Sequence, residues 1–302
     1  MPHLSVIMPA RNAGATVESA VRSTLHDLPA DAELVVGDDA STDGTRYALD
    51  RIEDSRLRVI DCPGRGLARA LNTLLDATDS ALVARMDADD IVIRGRFRRQ
   101  VRALGTADTV FTTVTTWRGS GMPRPAWPVA IGERAFGFHL LLTNPVAHST
   151  MAARRTAIDE AGGYRDVPSE DYDLWLRMQS RGAGMRRLAA PGIVYRVHAR
   201  QVTATDGWRL SSWQDESTQH AFADLSQRLL GAPQMRISAL AIAPFTRGEK
   251  LARMAEFDRS FRAAVRRVPL PARTALLRRL AARSEWLWQR SDTAPGMIGA
   301  AT

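Results

Sequence analysis

The sequence has little of several features that mark particular protein classes. Its one cysteine, Cys62, excludes an intrachain disulfide and a metal site built from several cysteines. Lysine occurs once among 41 basic residues, so arginine supplies nearly all of the positive charge. No run approaches the ~18–20 apolar residues of a membrane-spanning helix. The Gly-Lys-Ser/Thr end of a Walker loop is absent, which excludes that class of phosphate-binding protein.

What is present is the composition of an ordinary globular protein. The chain has 302 residues, of which 45% are hydrophobic and 25% are charged. These values exclude disordered, collagen-like and coiled-coil classes, and the length allows one large or two small domains. The first eight residues become apolar at once and lack the basic flank and cleavage site of a signal peptide. We therefore expect a reducing, cytosolic compartment.

The formal net charge of +8 is concentrated near the C-terminus. Residues 1–205 hold 26 basic and 24 acidic residues, whereas residues 245–290 alone hold 12 basic and 4 acidic residues. A high isoelectric point usually suggests nucleic-acid binding. Because the first two thirds of the chain are nearly neutral, we expect no nucleic-acid partner there.

Short apolar runs alternate with helical patterns through the first hundred residues. The runs predict strands over Leu4–Met8, Glu33–Gly37, Leu57–Ile60 and Ala81–Met86. The helical spacing predicts helices over Thr16–Leu25, Thr45–Ile52 and Leu67–Leu75. This alternation predicts an α/β fold with a doubly wound, mostly parallel sheet, whose ligands bind at the carboxyl ends of the strands.

The rest of the chain changes character near residue 205. Before it we predict a strand over Thr109–Thr116, a loop over Trp117–Val129, helices over Gly132–Leu142 and Asp173–Gln179, and a last strand over Ile193–Val197. After Trp208 only helices are predicted, interrupted at Pro233, Pro244, Pro269 and Pro271. We therefore predict an α/β domain over residues 1–205 and a basic helical extension over residues 206–302.

Acidic residues follow two of the predicted strands. Asp38-Asp39 comes after the second strand, and Asp87-Ala88-Asp89-Asp90 comes after the fourth. Dense carboxylates repel one another and are the hard oxygen ligands that suit Mg²⁺ or Mn²⁺ beside a diphosphate. For Asp38-Asp39, a helix cap with an Asx turn is an equally good explanation.

A third acidic cluster, Ser169-Glu170-Asp171-Tyr172-Asp173, precedes the helical run Leu174–Arg177. Acids in the first turn of a helix are stabilised by its dipole, so capping alone explains Ser169 and Glu170. Capping does not explain why Asp171 is also present. Capping alone therefore does not account for the whole cluster.

Taken together, six segments of residues 3–200 form four blocks that resemble the family 2 glycosyltransferases, inverting enzymes with the GT-A fold. The segments are LSVIMPARN (Leu4–Asn12), ELVVGDDASTDGT (Glu33–Thr45), ARMDADDI (Ala84–Ile91), NPVAHSTMAARRTAIDEAGGY (Asn144–Tyr164), SEDYDLWLRM (Ser169–Met178) and YRVH (Tyr195–His198). They occur in the family's order, with the Asp-x-Asp metal motif in the third and the Glu-Asp catalytic motif in the fifth. The resemblance implies a GT-A domain that uses a nucleotide-diphospho-sugar.

The resemblance also implies roles for individual residues. Those implied to bind the nucleotide-sugar are Pro9, Ala10, Arg11, Asp38, Asp39, Arg69, Asp87 and Ala88. Those implied to hold a divalent metal, Mg²⁺ or Mn²⁺, are Asp89, Asp90 and His198. Asp171 is implied to be the general base, accompanied by Glu170, with His148 and Trp175 on the acceptor side. Arg11 departs from the family pattern, which commonly has an aromatic residue there, although a guanidinium plane also stacks on a base.

These inferences predict a metal-dependent inverting glycosyltransferase. The expected donor is a UDP-sugar, and the expected acceptor is a hydroxyl of a saccharide or lipid-linked glycan in cell-surface polysaccharide synthesis. Two alternatives remain open. A sugar-phosphate nucleotidyltransferase also uses metal-binding carboxylates but has no role for Glu170-Asp171, and a non-enzymatic nucleic-acid binder would use the basic charge.

The basic C-terminal segment has two interpretations of its own. Residues 251–267 and 272–290 both read as helices with one apolar and one arginine-rich face. Either the apolar faces pack on the catalytic domain, or residues 245–290 contact an anionic membrane surface. The second interpretation would suit a lipid-linked acceptor, and it predicts a cytoplasmic protein peripheral to the inner face of the membrane.

Overall fold

Four of the predicted strands lie side by side in the computed structural model of the chain. They are β1 (Leu4–Ala10), β2 (Ala32–Asp38), β3 (Leu57–Asp61) and β4 (Leu82–Arg85), arranged in the order β3-β2-β1-β4. All neighbouring pairs in this group are parallel. Ala10 pairs with Asp38, so the carboxyl ends of β1 and β2 meet at one edge.

Helices connect these strands, as the sequence predicts. They are α1 (Val17–Asp27), α2 (Thr45–Asp50) and α3 (Leu67–Asp76). In α1 the residues Val17, Ala20, Val21 and Leu25 are buried against the sheet core. Their spacing of three and four residues places them on one face of the helix, which is why this segment folds as an amphipathic crossover.

The second half of the sheet is mixed. Its strands are β5 (Ile91–Val92), β6 (Thr109–Trp117), β7 (Arg124–Pro125), β8 (Ala152–Arg154) and β9 (Met185–Arg196), in the order β4-β8-β6-β9-β5, with β7 on β6. The strands β5, β7 and β8 run antiparallel to their neighbours, and the other six strands of the described chain share one direction. The predicted α/β class with a mostly parallel sheet is confirmed.

The structure describes residues 3–198 and 205–290, and the chain divides into two compact units. The sheet unit comprises Met1–Ile131, Val146–Asp166 and Ala183–His198, apart from residues 1 and 2. The helical unit comprises Gly132–Pro145, Val167–Gly182 and the described part of Ala199–Thr302. The predicted boundary at residue 205 adjoins residues that lie outside the described ranges, and it stays a prediction.

The sheet unit contains two further helices, α4 (Arg96–Ala103) and α6 (Arg155–Glu160). The helical unit is built from α5 (Glu133–Leu140), α7 (Glu170–Ser180), α8 (Asp206–Gln214), α9 (Glu216–Leu230), α10 (Ile237–Ile242), α11 (Arg247–Ala264) and α12 (Leu270–Arg290). Its core includes Phe138, which meets Phe261 edge to face at 5.6 Å between ring centroids. Among the helices of residues 3–198 and 205–290, none is both long and apolar enough to cross a bilayer.

The C-terminal helices bury the apolar faces that the sequence predicts. On α11 the buried residues include Met254, Phe257 and Phe261, and on α12 they are Leu276, Leu280 and Leu287. These side chains are buried, and the choice between packing on the domain of residues 1–205 and contact with a membrane stays a prediction. The arginines of α11 are exposed, whereas on α12 Arg278 is exposed and the other arginines are half-buried.

The predicted interruption at Pro271 is wrong. Pro271 is the second residue of α12 and therefore lies in the first helical turn. A proline there costs little, because the first N–H groups of a helix have no partner within the helix in any case.

Candidate functional site

Three carboxylates crowd the carboxyl end of β4. Oxygen atoms of Asp87, Asp89 and Asp90 all lie within 4.8 Å of one another. Burial, and then the charges of Asp87 and Asp89, raise the pKa of the Asp90 carboxyl to about 8. Like charges this close are costly unless a proton or a cation accompanies them. The predicted acidic cluster at this strand end is therefore present.

Each carboxylate of the cluster has a different surrounding. Asp90 is buried, and its two oxygens accept hydrogen bonds from the Ser149 hydroxyl at 2.9 Å and the Arg196 backbone N–H at 3.0 Å. Asp89 is half-buried, and its Oδ2 lies 3.0 Å from Nε2 of His198. The structure thus brings together the three residues that the resemblance implies for metal binding, with Asp89 and His198 the more accessible pair.

Two buried arginines lie behind the cluster. The guanidinium of Arg85, on β4, forms an ion pair with Asp87 at 2.5 Å. Arg96, at the start of α4, is fully buried and donates to the Arg85 carbonyl at 2.7 Å. Burial lowers the pKa of the Arg96 guanidinium to about 9, while the charge of Asp90 acts in the opposite direction. The two cations offset part, but not all, of the carboxylate charge.

The donor set at this edge fits a divalent metal. Carboxylate oxygens are the preferred ligands of Mg²⁺ and Mn²⁺, and a neutral imidazole nitrogen is a common metal ligand. The crowding of the three carboxylates within 4.8 Å is the observation that supports this fit, because a divalent cation would offset their mutual repulsion.

The residues predicted to meet the nucleotide lie at the ends of β1 and β2. The N–H of Asp39 donates to the Ala10 carbonyl at 2.8 Å, which continues the pairing beyond the strands. Arg11 is exposed, and its guanidinium lies 3.5 Å from the buried Asp39 carboxylate. Pro9 and Ala10 are the last two residues of β1, and Ala88 is buried between the acids that follow β4.

Asp38 and Asp39 both bind backbone groups of nearby loops. Asp38 accepts from the Ser41 N–H at 3.0 Å, which is the turn alternative that the sequence left open. Asp39 accepts from the Gly64 N–H at 2.8 Å. Both carboxylates therefore shape the edge of the sheet, and a contact of Asp39 with a base stays a prediction.

Strained backbone at this edge was not predicted. Asn12 and Ala40 are the residues other than glycine that have positive φ in the described chain, with φ of 51° and 57°. An alanine in the left-handed region costs roughly 1–2 kcal/mol, and such strain is concentrated at functional sites. The loops after β1 and β2 thus each contain one residue in the left-handed region.

Two other predicted residues of the sheet unit have protein partners. Arg69 on α3 forms an exposed ion pair with Asp166 at 3.0 Å. Nε2 of His148 lies 2.9 Å from the Tyr164 hydroxyl, and His148 precedes the Ser149 that holds Asp90. The implied role of Arg69 at the donor phosphates and that of His148 near the acceptor stay predictions.

The Glu-Asp motif opens α7 in the helical unit. Oδ2 of Asp171 accepts a hydrogen bond from the side-chain amide of Asn144 at 2.8 Å, and Oδ1 accepts from the Tyr172 N–H at 2.6 Å. Ser169 makes no side-chain cap, because its hydroxyl meets that of Ser212 at 2.6 Å. Asn144 lies in a quoted motif, but its contact with Asp171 spans 27 positions and was not predicted.

Other residues of α7 are buried within the helical unit. Asp173 is fully buried and pairs with Arg177 at 2.8 Å. Trp175 is also fully buried, so its indole has no surface to offer an acceptor. The implied place of Trp175 on the acceptor side stays a prediction. Glu170, the first residue of α7, is half-buried.

The architecture and the acidic strand end define a protein class. A mostly parallel sheet with three carboxylates at one strand end and a helical C-terminal region is the arrangement of GT-A glycosyltransferases. The structure of Staphylococcus aureus TarS residues 1–349 with UDP-GlcNAc matches with a TM-score of 0.62 at 15% identity, over 97% of this chain and 91% of that chain. The mannosyltransferase PcManGT of Pyrobaculum calidifontis, with GDP-Man and Mn²⁺, matches with a TM-score of 0.53 at 22% identity, over 96% and 84%.

Sequence comparison gives the particular family. The model of glycosyl transferase family 2 matches residues 5–163, and the chain belongs to this family. A relative in Escherichia coli is the UDP-Glc:alpha-D-GlcNAc-diphosphoundecaprenol beta-1,3-glucosyltransferase WfaP. It is 28% identical over 207 residues, which cover 68% of this chain and 81% of WfaP. The chain is thus a glycosyltransferase, and the family match decides against the nucleotidyltransferase and nucleic-acid-binding alternatives.

Proposed function

We propose that the chain is a metal-dependent inverting transferase that moves a sugar from a nucleotide-diphospho-sugar to a hydroxyl. The observation that carries the proposal is the three-carboxylate cluster at the end of β4 in a chain of this family. The donor we propose is a UDP-sugar. The acceptor we propose is a saccharide or lipid-linked glycan of cell-surface polysaccharide synthesis, a class that includes the diphosphoundecaprenol acceptor in the name of WfaP.

The sheet unit supplies the donor-binding groups in this proposal. The ends of β1 and β2, with Arg11 and Asp39, receive the nucleoside, and Asp87 lies toward the ribose. Arg11 is supported by its exposure, which leaves the guanidinium plane open to a base. Arg69 reaches the donor phosphates by exchanging its exposed partner Asp166, an exchange that costs little because exposed ion pairs contribute ~0–1 kcal/mol.

The metal in the proposal is Mg²⁺ or Mn²⁺, held by Asp89 and His198 with support from Asp90. When bound, it offsets the negative charge that develops on the leaving nucleotide diphosphate. Asp90 suits a supporting role because it is buried, whereas Asp89 and His198 are more accessible. Arg85 and Arg96 keep the cluster in place before the metal arrives.

The helical unit supplies the base. A hydroxyl is a poor nucleophile until a base takes its proton, and we assign this step to Asp171. Asn144 donates to one oxygen of Asp171 and so fixes the plane of the carboxylate. A single base and a single displacement invert the anomeric centre. A glycosidase, by contrast, uses two carboxyl groups that flank the scissile bond, together with a water molecule. Glu170, the residue before Asp171, is kept as a second candidate catalytic residue.

Location is a further part of the proposal. The exposed faces of α11 and α12 carry arginines that include Arg253, Arg259, Arg262, Arg266 and Arg278. Because the apolar faces of these helices are buried, their contact with an anionic membrane would be electrostatic. We propose a cytoplasmic enzyme that is peripheral to the inner face of the membrane through residues 245–290.

The test replaces Asp171 by Asn in the full chain. A thermal-shift panel of UDP- and GDP-sugars with and without Mn²⁺ first selects the donor. Release of nucleoside diphosphate is then measured with a lipid-diphosphate GlcNAc acceptor. We expect Asp171→Asn to lower turnover by about 10²–10⁴-fold, the contribution of a positioned base, while donor binding persists.

The matched control is Asp206→Asn, which changes an exposed carboxylate in the first turn of α8. This variant should turn over like the unmodified protein. Comparable turnover by Asp171→Asn would remove the assignment of the base. Release of pyrophosphate in place of nucleoside diphosphate would contradict the proposed reaction.

A further inference from the structure

The segment that follows β6 is exposed throughout. It covers residues 118–130, includes β7 and the five residues after it, and is called here the β6–β7 loop. Eight large hydrophobic side chains are exposed in residues 3–198 and 205–290, and three of them lie in this loop. They are Met122 at 88%, Trp127 at 84% and Val129 at 44% exposure.

The loop has a defined conformation even though its side chains project into solvent. β7 pairs with β6 through Thr115 with Pro125 and Thr116 with Arg124. The Ala126 N–H donates to the Val114 carbonyl at 2.9 Å, and the Arg187 guanidinium donates to the Val129 carbonyl at 2.9 Å. Backbone contacts thus hold the loop on the sheet unit, while Met122 and Trp127 are left outside the core.

The charges of the loop have one sign. Arg118 and Arg124 are its charged residues, and no acid occurs between Asp108 and Glu133. Arg196, on β9, adds a third guanidinium 4.9 Å from the Trp117 ring at the base of the loop. An exposed tryptophan and methionine flanked by arginines are the composition of a surface that enters the interface of an anionic bilayer.

Two other binding partners, a saccharide and a second copy of the chain, fit the surface of the loop less well. A sugar that stacks on Trp127 would need amide or carboxylate side chains beside the ring, because saccharide hydroxyls are bound by such groups. Ser120 is the one uncharged hydrogen-bonding side chain among residues 118–130 apart from Trp127 itself. A second copy of the chain would bring Arg118 and Arg124 against the same arginines across a two-fold interface, which is repulsive.

We propose that the β6–β7 loop inserts Met122 and Trp127 into the interface of an anionic lipid bilayer, with Arg118 and Arg124 at the headgroups. The loop exposes its two large anchors more fully than the C-terminal helices expose theirs, since those helices bury most of their apolar faces and leave Leu270 at 63% and Trp288 at 45% exposure. Stable attachment to a membrane generally takes two signals, and the loop and the basic helices would supply one each. The inference concerns attachment and does not depend on the role of Asp171.

The experiment measures flotation of the full chain with vesicles. One set of vesicles contains phosphatidylglycerol and phosphatidylcholine in equal parts, and the other contains phosphatidylcholine alone. The test variant carries Met122→Ser with Trp127→Ser, and we expect its partitioning to the anionic vesicles to fall about tenfold or more, because most of the inserted apolar area is lost. Arg118→Gln with Arg124→Gln should lower binding to anionic vesicles and reduce its salt dependence, while the charge of the basic helices stays in place.

The control is Tyr47→Ser, which removes an exposed aromatic side chain from α2 in the same unit. It should float like the unmodified protein, and all variants should keep the circular dichroism and donor-induced thermal shift of the unmodified chain. Equal flotation of the Met122/Trp127 variant and the control would overturn the proposal. Unchanged flotation with weaker binding of a soluble saccharide acceptor would assign the loop to the acceptor, and unchanged flotation with a lost dimer would assign it to self-association. Failure of the unmodified chain to float would overturn it as well.

Discussion

Two acidic clusters of similar composition have opposite surroundings in this protein. In the sheet unit, Asp87, Asp89 and Asp90 follow a strand and face one another within 4.8 Å. In the helical unit, the acids of 170–173 begin α7, where the helix dipole stabilises negative charge. There Asp171 accepts from Asn144, and Asp173 is paired with Arg177. The two clusters therefore differ in how completely the protein itself compensates their charge.

The difference suggests that the two clusters have different chemical roles. The cluster in the sheet unit holds three carboxylates within 4.8 Å of one another, one of them buried, and it suits a bound cation. The cluster in the helical unit has donors and a counter-ion of its own, so it suits a single carboxylate that takes a proton. Each prediction below changes one cluster and asks whether the other is affected.

The largest expected effect is on stability, at the buried pair of α7. Arg177→Met removes the guanidinium from a fully buried Asp173 carboxylate and should lower the free energy of unfolding by about 3–5 kcal/mol. Urea unfolding followed by circular dichroism measures the change. Arg262→Met, which breaks an exposed pair with Asp258 at the same spacing on α11, should cost only about 0.3–0.5 kcal/mol.

The double variant Asp173→Leu with Arg177→Met sharpens this test. Because it removes both charges together, it should recover much of the lost stability. If Arg177→Met cost no more than Arg262→Met, charge compensation within α7 would not be what distinguishes the two clusters.

The next effect is on metal binding in the sheet unit. Asp89→Asn removes a negative ligand from the accessible part of the cluster and should weaken the affinity for Mn²⁺ in the presence of UDP by roughly 100-fold. Isothermal titration calorimetry measures this affinity without turnover. The matched control is Asp61→Asn, which changes an exposed carboxylate at the end of β3, and it should leave Mn²⁺ binding unchanged.

Asp171→Asn should also leave Mn²⁺ binding unchanged, since we assign Asp171 no ligand role. A loss of Mn²⁺ affinity in that variant equal to the loss in Asp89→Asn would contradict the proposed separation of roles. Unaltered affinity in Asp89→Asn would show that the cluster does not hold the metal.

Local patterns predicted the first half of the fold well. The strands β1 to β4 and the helices between them have short connections and clear periodicity, and their predicted bounds differ from the structure by a few residues. Helix α4 was not predicted, because four of its eight residues are arginines and one of them, Arg96, is buried against expectation. Strand β9 begins at Met185, eight residues before the prediction, since its first half contains Arg186 and Arg187 and is identified as a strand by its pairing with β6.

The residues of the candidate site that lie at strand ends could be predicted from the sequence. The hydrogen bonds between residues far apart in the sequence could not. The acids after β2 and β4 lie at strand ends because parallel strands place their carboxyl ends along one edge. The contact of Ser149 with Asp90 spans 59 positions, and that of Asn144 with Asp171 spans 27. No periodicity encodes such pairs, because they depend on how separate elements pack.

The smallest expected effect belongs to Asn144, whose amide donates to Oδ2 of Asp171. Asn144→Ala removes a hydrogen bond to a charged group, worth about 1.5 kcal/mol, and should lower kcat roughly tenfold with little change in the donor KM. The lost donor also disfavours the carboxylate form, so the acid limb of the kcat–pH profile should move to higher pH. Initial rates of nucleoside diphosphate release between pH 5 and 9 measure both effects.

A merely structural role for Asn144 would have a different signature. The fraction of folded protein would fall and lower kcat at every pH by the same factor, with the acid limb in its original place. Asn144→Gln, which keeps an amide of greater reach, should recover part of kcat and restore the position of the limb. The control is Asn72→Ala in the sheet unit, where an amide of the same type donates to the Tyr164 carbonyl, and it should leave the limb unmoved. If the acid limb of the kcat–pH profile shifted equally in Asn72→Ala, the carboxylate of Asp171 would not be stabilised by contacts local to the start of α7. The proposed difference between the two clusters would then be contradicted.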